Sequence, residues 1–272
     1  MKILIFGAKG MLGTDLMKVF SDFAPIGLDI DNIDITQEDQ VKKVLTEIKP
    51  QIVINAAAYT KVDDCEKNQE LAFRVNGEAI GFIAKACHEV GATLIHFSTD
   101  YVFDGKKKEG YNEDDQPNPI SIYGKSKLLG EELLQKNCQK FYLIRTSWLY
   151  GKNGPNFVET MIKLSNEQKI LKVVNDQFGK PTFSLDLAYA VKNIIETKTK
   201  FGIYHLVNEN SCSWYDFAKK IFEIKKIEVK VKPVLTSEFP RPARRPHYSI
   251  LINNKLPRLR AWEEAIKNYL TS

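Results

Sequence analysis

The first twenty residues leave few folds open. Lys2-Ile3-Leu4-Ile5-Phe6 is an apolar run of strand length, Gly7-Ala8-Lys9-Gly10-Met11-Leu12-Gly13 follows at once, and Thr14 to Phe20 has the pattern of a helix. Strand, glycine-rich turn, helix is the context in which a glycine spacing becomes a useful pointer to dinucleotide binding. Glycines let the main chain approach a pyrophosphate, and the helix N-terminus offers free N–H groups and the positive end of its dipole. The alternative is a tight turn with no ligand.

Downstream, strand-like and helix-like segments alternate, as a parallel doubly wound sheet requires. Pro25 to Ile30 is a second apolar segment carrying Asp29 and Asp31 at its end, where a carboxylate can hydrogen-bond an adenosine ribose. Such a carboxylate repels a 2′-phosphate, whereas Lys9 in the loop offsets that repulsion, so both NADH and NADPH stay open. Thr36 with Asp39 reads as a capping box, and Val41, Val44, Leu45 and Ile48 form the apolar stripe of the helix it would start. Gln51 to Asn55 is the next strand and runs into Ala56-Ala57-Ala58-Tyr59-Thr60, small residues over which a cofactor can lie, or which simply pack tightly. Leu71 to Val90 reads as one long helix. Ala92 to Phe97 is a strand that delivers Ser98-Thr99-Asp100 to the ligand edge of the sheet.

After a polar loop come Tyr123 and Lys127, four residues apart. On a helix that spacing is about one turn, so phenol and ammonium share a face. A neighbouring cation favours phenolate, which would let Tyr123 exchange a proton with a substrate oxygen near neutral pH, and Thr99 can bond the same oxygen. Alone, Tyr-x-x-x-Lys also arises by chance on solvated helix faces.

Composition narrows the function classes. The 272 residues carry a net charge of +5 from 39 basic and 34 acidic side chains, too mild and scattered for nucleic-acid or membrane binding but suited to an anionic small molecule. Cys65, Cys87, Cys138 and Cys212 are far apart with no Cys-x-x-Cys pair, which points to buried free thiols in a reducing compartment. The N-terminus runs straight into a strand with no cleavable leader, and no apolar run reaches membrane-spanning length. The expectation is a soluble, cytoplasmic protein.

Six blocks together resemble a known family. Gly7 to Gly13, Asn55 to Asp63, Ser98 to Gly105, Tyr123-Gly-Lys-Ser-Lys127, Arg145 to Tyr150 and Asn175 to Thr182 are similar, in order, to the signature of the dTDP-4-dehydrorhamnose reductases, extended short-chain dehydrogenases. The resemblance covers residues 1 to about 255. It implies an α/β, Rossmann-like doubly wound parallel sheet with a small C-terminal substrate-binding domain. The NAD(P)-binding part would take 1–146 and about 171–203, and the substrate part about 147–170 and 204–272. It also implies reduction of the C4 ketone of dTDP-4-dehydro-β-L-rhamnose to dTDP-β-L-rhamnose by NADPH or NADH, for surface polysaccharides.

Carried over position by position, the resemblance makes Tyr123 the general acid, Lys127 the holder of the nicotinamide ribose, and Thr99 a partner of the substrate oxygen. Asp100 and Trp148 would contact the sugar nucleotide. Gly10, Met11 and Leu12, Asp34 with Ile35, Ala58, Tyr59 and Thr60, and Phe97 match cofactor-lining positions. Asn76 falls where related enzymes place an asparagine that relays protons through water to the lysine. Arg245 stands in Arg245-Pro246-His247-Tyr248-Ser249, which is similar to the family's Arg-Pro-x-x-Ser segment and suits a loop gripping a diphosphate. The alternative there is a basic solvated loop. His205 reads as a core residue, Lys225 to Lys232 as a solvated charged strand, and Trp214 to Ile221 and Ala261 to Leu270 as packing helices. Some family members bridge dimers with magnesium. Asp15 occupies an early acidic position, but no metal is assigned and monomer and homodimer both remain open. Two other readings stay beside this one: a reductase of another nucleotide-linked 4-keto sugar, and a non-catalytic partner like the β subunit of methionine adenosyltransferase.

Overall fold

The computed structural model describes residues 1–271. Its strands are β1 (Ile3–Phe6), β2 (Ile26–Leu28), β3 (Ile52–Asn55), β4 (Thr93–Thr99), β5 (Phe141–Thr146), β6 (Leu149–Tyr150), β7 (Ile170–Val174), β8 (Phe178–Gly179), β9 (Thr182–Phe183), β10 (Gly202–His205), β11 (Cys212–Ser213) and β12 (Lys230–Val234). Its helices are α1 (Met11–Val19), α2 (Glu38–Ile48), α3 (Val62–Lys67), α4 (Gln69–Phe73), α5 (Ala79–Val90), α6 (Ile122–Asn137), α7 (Phe157–Glu167), α8 (Ser184–Glu196), α9 (Trp214–Lys225) and α10 (Trp262–Thr271).

Six strands form one parallel sheet in the order β10-β5-β4-β3-β1-β2. Helices cover both faces, so its strands read as continuous apolar runs rather than alternating ones. In β1, Ile3 and Ile5 join a core with α1 and α8, while Leu4 and Phe6 join the opposite core with α2 and α5. The register aligns Phe6 with Asn55 and Asn55 with His96, and sets Thr99 beside Thr146, so the strands end together along one edge. β2 lies on one side of β1 and β3 on the other. That reversal is the switch point at which open α/β sheets leave a crevice for ligands.

Local chemistry at the crevice follows the glycines. Gly7 has a φ of +72°, and a side chain on Gly13 would meet the Gly7 carbonyl oxygen at 1.9 Å, so α1 can pack this close only with glycine there. Two helix expectations change. No side chain caps α2, because the Thr36 hydroxyl donates to Asp34 instead (2.7 Å). The single helix expected over Leu71 to Val90 is α4 and α5 joined by a π-helical turn, Arg74–Glu78, with Asn76 buried inside it.

A third core lies apart from the sheet, built from Tyr150, Val158, Leu171, Phe217, Trp262 and Ile266 among others. Here β7 and β12 pair in parallel. β7 therefore groups with this core, although the expected boundary at about 171 gave it to the sheet. In turn β10 stays in the sheet up to His205, past the expected boundary at 203. The charge run of Lys225 to Lys232 is split between the end of α9 and the start of β12. All four cysteines are buried and free, and no helix among the described residues is long and apolar enough to cross a membrane.

One ion pair lies inside the sheet layer. Arg145 on β5 donates through Nε and Nη2 to the Glu131 carboxylate on α6 (3.0 and 2.7 Å), and both residues are almost fully buried. Removing one partner leaves a charge without water or counter-ion. Arg145→Leu is expected to destabilise the fold by about 3–5 kcal/mol, and Arg145→Leu with Glu131→Leu by less than Arg145→Leu alone. Urea unfolding of the three proteins checks this, and a double variant weaker than the single one refutes it.

Candidate active site

The crevice at the switch point is a cavity of about 460 Å³ whose wall includes Gly7, Gly10, Asp29, Asp34, Ile35 and Tyr59, with Ala58 beside it. Gly10 stands at the N-cap of α1 and provides no side-chain cap. The first-turn N–H groups of Met11, Leu12 and Gly13 lack intrahelical acceptors, as at any helix start, and are available to an anion. Asp29 accepts from the Lys9 N–H (2.8 Å), and the Lys9 ammonium pairs with Asp31 (2.5 Å) in the open. The Thr36 hydroxyl and N–H hold the Asp34 carboxyl below its usual range. Thr60 is exposed just beyond this wall, and Phe97 lies on β4 at the inner end. A glycine cradle, free N–H groups and acidic side chains across from them fit a dinucleotide.

Tyr123, Lys127 and Thr99 meet at the carboxyl edge of β4. The Ser121 hydroxyl accepts from the Gly124 N–H (3.2 Å) and starts α6 one residue before Tyr123. Both key residues therefore fall on the first turn and a half of α6. Lys127 is buried, and its Nζ donates to the Phe97 carbonyl (2.7 Å). Burial lowers Lys127 to about 8, against the opposing pull of Glu131. The Thr99 hydroxyl donates to Asp100 Oδ1 (3.0 Å) and so meets the Tyr123 phenol as an acceptor, giving a chain Tyr123–Thr99–Asp100. Burial pushes Asp100 up to about 6, while bonds from Ser249 and Thr99 favour its anion. Its Oδ2 has no partner among the described residues.

One expectation needs correction. Lys127 does not lower the Tyr123 phenol: burial raises it, the Asp100 charge adds to the rise, and the ammonium is turned to Phe97. The Asn76 side-chain amide is committed within the protein. Its Oδ1 accepts from the Tyr59 N–H (2.8 Å), and its Nδ2 donates to the Tyr59 carbonyl and the Ser126 hydroxyl (3.0 and 3.1 Å). It pins the turn after β3 to α6. Arg245 lines the larger cavity, but its guanidinium is forked onto Asp63 (2.5 and 2.9 Å), whose carboxyl it holds below its usual range.

A second cavity, of about 1180 Å³, opens beside Tyr101, which meets the Tyr123 ring edge-on at 5.6 Å. Its wall includes Trp214, Lys232, Arg244 and His247. Arg244 is exposed and makes no ion pair among the described residues. Trp148, with a φ of +47°, stacks on Trp214 (3.5 Å between rings, 5° apart) and lies behind it, wedged against Gly179. Trp214 packs on the third core and Lys232 is exposed, as expected, and both also line this cavity. Only the pairing of β12 with β7 turns Lys232 toward the cavity. His205 is buried, with Nδ1 on the Ile252 carbonyl and its value lowered by burial to about 3, in keeping with a core residue. Asp15 is bonded by the Ser184 hydroxyl, and no cluster of His, Cys, Asp and Glu suited to a metal ion occurs among the described residues.

The RmlD substrate binding domain model matches residues 1–272. The chain belongs to that family. It is 45% identical to a dTDP-4-dehydrorhamnose reductase from Clostridium acetobutylicum, with a TM-score of 0.96 over 99% of this chain and 98% of that one. It is 43% identical, also at a TM-score of 0.96 and over the same shares, to the Bacillus anthracis dTDP-4-dehydrorhamnose reductase solved in complex with NADP. It is 41% identical to the spore coat polysaccharide biosynthesis protein SpsK of Bacillus subtilis, over 99% of this chain and 96% of that protein.

The raised Asp100 has a signed consequence. A carboxyl whose native value exceeds its unfolded one stabilises the fold below the unfolded value, here 3.8, and that contribution is lost as pH rises through about 6. Between pH 4 and pH 8, Asp100→Asn is expected to gain up to roughly 3 kcal/mol relative to wild type. Urea melts at the two pH values measure it, and a pH-independent difference refutes it.

Proposed function

We propose that this chain reduces the C4 ketone of dTDP-4-dehydro-β-L-rhamnose to dTDP-β-L-rhamnose with NADPH or NADH, a step toward surface polysaccharide. The observation that carries this reading is the hydroxyl chain Tyr123–Thr99–Asp100, lying with buried Lys127 between a dinucleotide-shaped crevice and a larger cationic cavity. The names of the relatives, one of them solved with NADP, agree with it. A nicotinamide cofactor supplies the hydride when bound.

Gly7, Gly10 and the N–H groups of Met11, Leu12 and Gly13 bind the pyrophosphate, and Asp29 and Asp34 face the adenosine ribose. Lys127 and the Phe97 carbonyl lie at the nicotinamide end. Tyr123 gives its phenolic proton to the C4 oxygen as negative charge develops there, and the Thr99 hydroxyl turns to the same oxygen. The rise of the buried phenol keeps it protonated, the state a general acid needs before reduction. Asp100 with Ser249 orients Thr99. The unit around the third core holds the thymidine diphosphate, its ring against Trp214 and its phosphates met by Arg244 and Lys232. Arg245 anchors that loop to α3 through Asp63 rather than touching the ligand. Asn76 holds the cofactor-facing turn at Tyr59.

Tyr123→Phe is expected to lower kcat by about 10²–10⁴-fold while cofactor still binds, read as sugar-dependent loss of reduced-nicotinamide absorbance. Turnover near wild type removes Tyr123 as the acid. Arg244→Ala is expected to raise KM for the sugar nucleotide about 10-fold with little change in kcat, the loss of one charge-assisted contact. Unchanged KM returns that loop to a solvated role.

A further inference from the structure

Behind the Tyr123–Lys127 pair runs a buried polar link that proton delivery to the ketone does not itself call for. Lys127 Nζ lies 3.5 Å from His96 Nε2, and His96 Nδ1 lies 3.1 Å from Asn55 Nδ2. His96 and Asn55 are paired across β4 and β3, and neither reaches solvent. The orientation of the Asn55 amide is set by a main-chain donor, because its Oδ1 accepts from the Ala57 N–H (3.2 Å). Its NH₂ therefore faces the ring, and His96 Nδ1 is the acceptor of that bond. A neutral imidazole accepting at Nδ1 carries its hydrogen on Nε2, the atom turned to Lys127. Two donors then face each other, which fits a separation longer than the 2.7 Å from Lys127 to the Phe97 carbonyl.

We propose that His96 is a positioning residue for Lys127: Asn55 fixes the Nε2–H tautomer, and that N–H confines the lysine to the Phe97 carbonyl and disfavours a full complement of protons on it. The inference rests on the assignment of Tyr123 and Lys127 to proton delivery. The charged and titratable groups around the lysine do not supply the same effect. Glu131, one turn along α6, favours the ammonium, but is itself forked onto Arg145 of β5; Tyr123 on α6 is protonated. His96 itself is kept neutral first by burial and then by the lysine charge. The donor from His96 thus acts with burial to let Lys127 titrate near working pH, instead of remaining a permanent cation.

The tautomer is readable without turnover. In the full-length protein with cofactor bound, ¹⁵N-labelled histidine gives signals from only 4 residues, and His96 is identified by its absence in His96→Gln. Expected is a neutral Nε2–H ring from about pH 5 to about pH 9. An Nδ1–H ring, its hydrogen turned to the Asn55 main-chain carbonyl on that side, or a cationic ring, overturns the proposal. In kinetics, the glutamine of His96→Gln can turn its carbonyl to Lys127, so the alkaline limb of kcat is expected to move up by about one pH unit with KM little changed. An unmoved limb overturns the proposal while leaving the reductase reading intact. Near-wild-type turnover by Lys127→Ala overturns both. The labelled wild-type protein decides the tautomer even if the variants fold poorly.

Discussion

A parallel sheet covered by helices on both faces has to bury every strand side chain, and that requirement places everything else. It turns Ile3 and Ile5 one way and Leu4 and Phe6 the other, and it sends the polar groups to the strand ends. Because β2 and β3 leave β1 in opposite directions, the strand ends open a crevice at Gly7 and Asn55. β4 extends to Thr99 at the same edge, so its last hydroxyl arrives beside the first turn of α6. Two of the charged groups within the layer are held by partners: Arg145 by Glu131, and Lys127 by the Phe97 carbonyl.

The cavities of about 460 and about 1180 Å³ differ in what walls them. The smaller one is made by main chain and glycine, which suits a ligand recognised by its pyrophosphate and ribose. The larger one is walled by Trp214 and basic side chains from the unit around the third core. Between them a short hydroxyl chain ends on a buried carboxyl. Burial acts in opposite directions on the neighbours there: it raises Tyr123 and Asp100 and lowers Lys127, bringing the carboxyl and the amine toward neutrality. α3 ties the parts together at the rim. Its Asp63 holds Arg245, and its Glu66 accepts from the Ile122 N–H at the start of α6 (2.9 Å).

Features that depend on neighbours in the chain are legible without a structure. The apolar run, the Gly7–Gly13 turn and α1 follow from local sterics, and the shared face of Tyr123 and Lys127 follows from helical spacing. The alternation of strands and helices implied the parallel sheet. Which partners the long polar side chains meet depends instead on elements far apart in the chain. Arg245 faces Asp63 across a separation of 182 residues, so a guanidinium that looks free in the sequence is occupied. Asn76 lies in a π-helical turn and commits its amide to Tyr59 and Ser126; Lys232 reaches the cavity wall on a β12 paired with β7, and Trp214 does so stacked on Trp148. The direction of the Lys127 ammonium, toward Phe97 and His96 rather than Tyr123, was likewise beyond any local pattern. Local spacing says which face a side chain leaves from; the packing of distant elements says what it touches when buried.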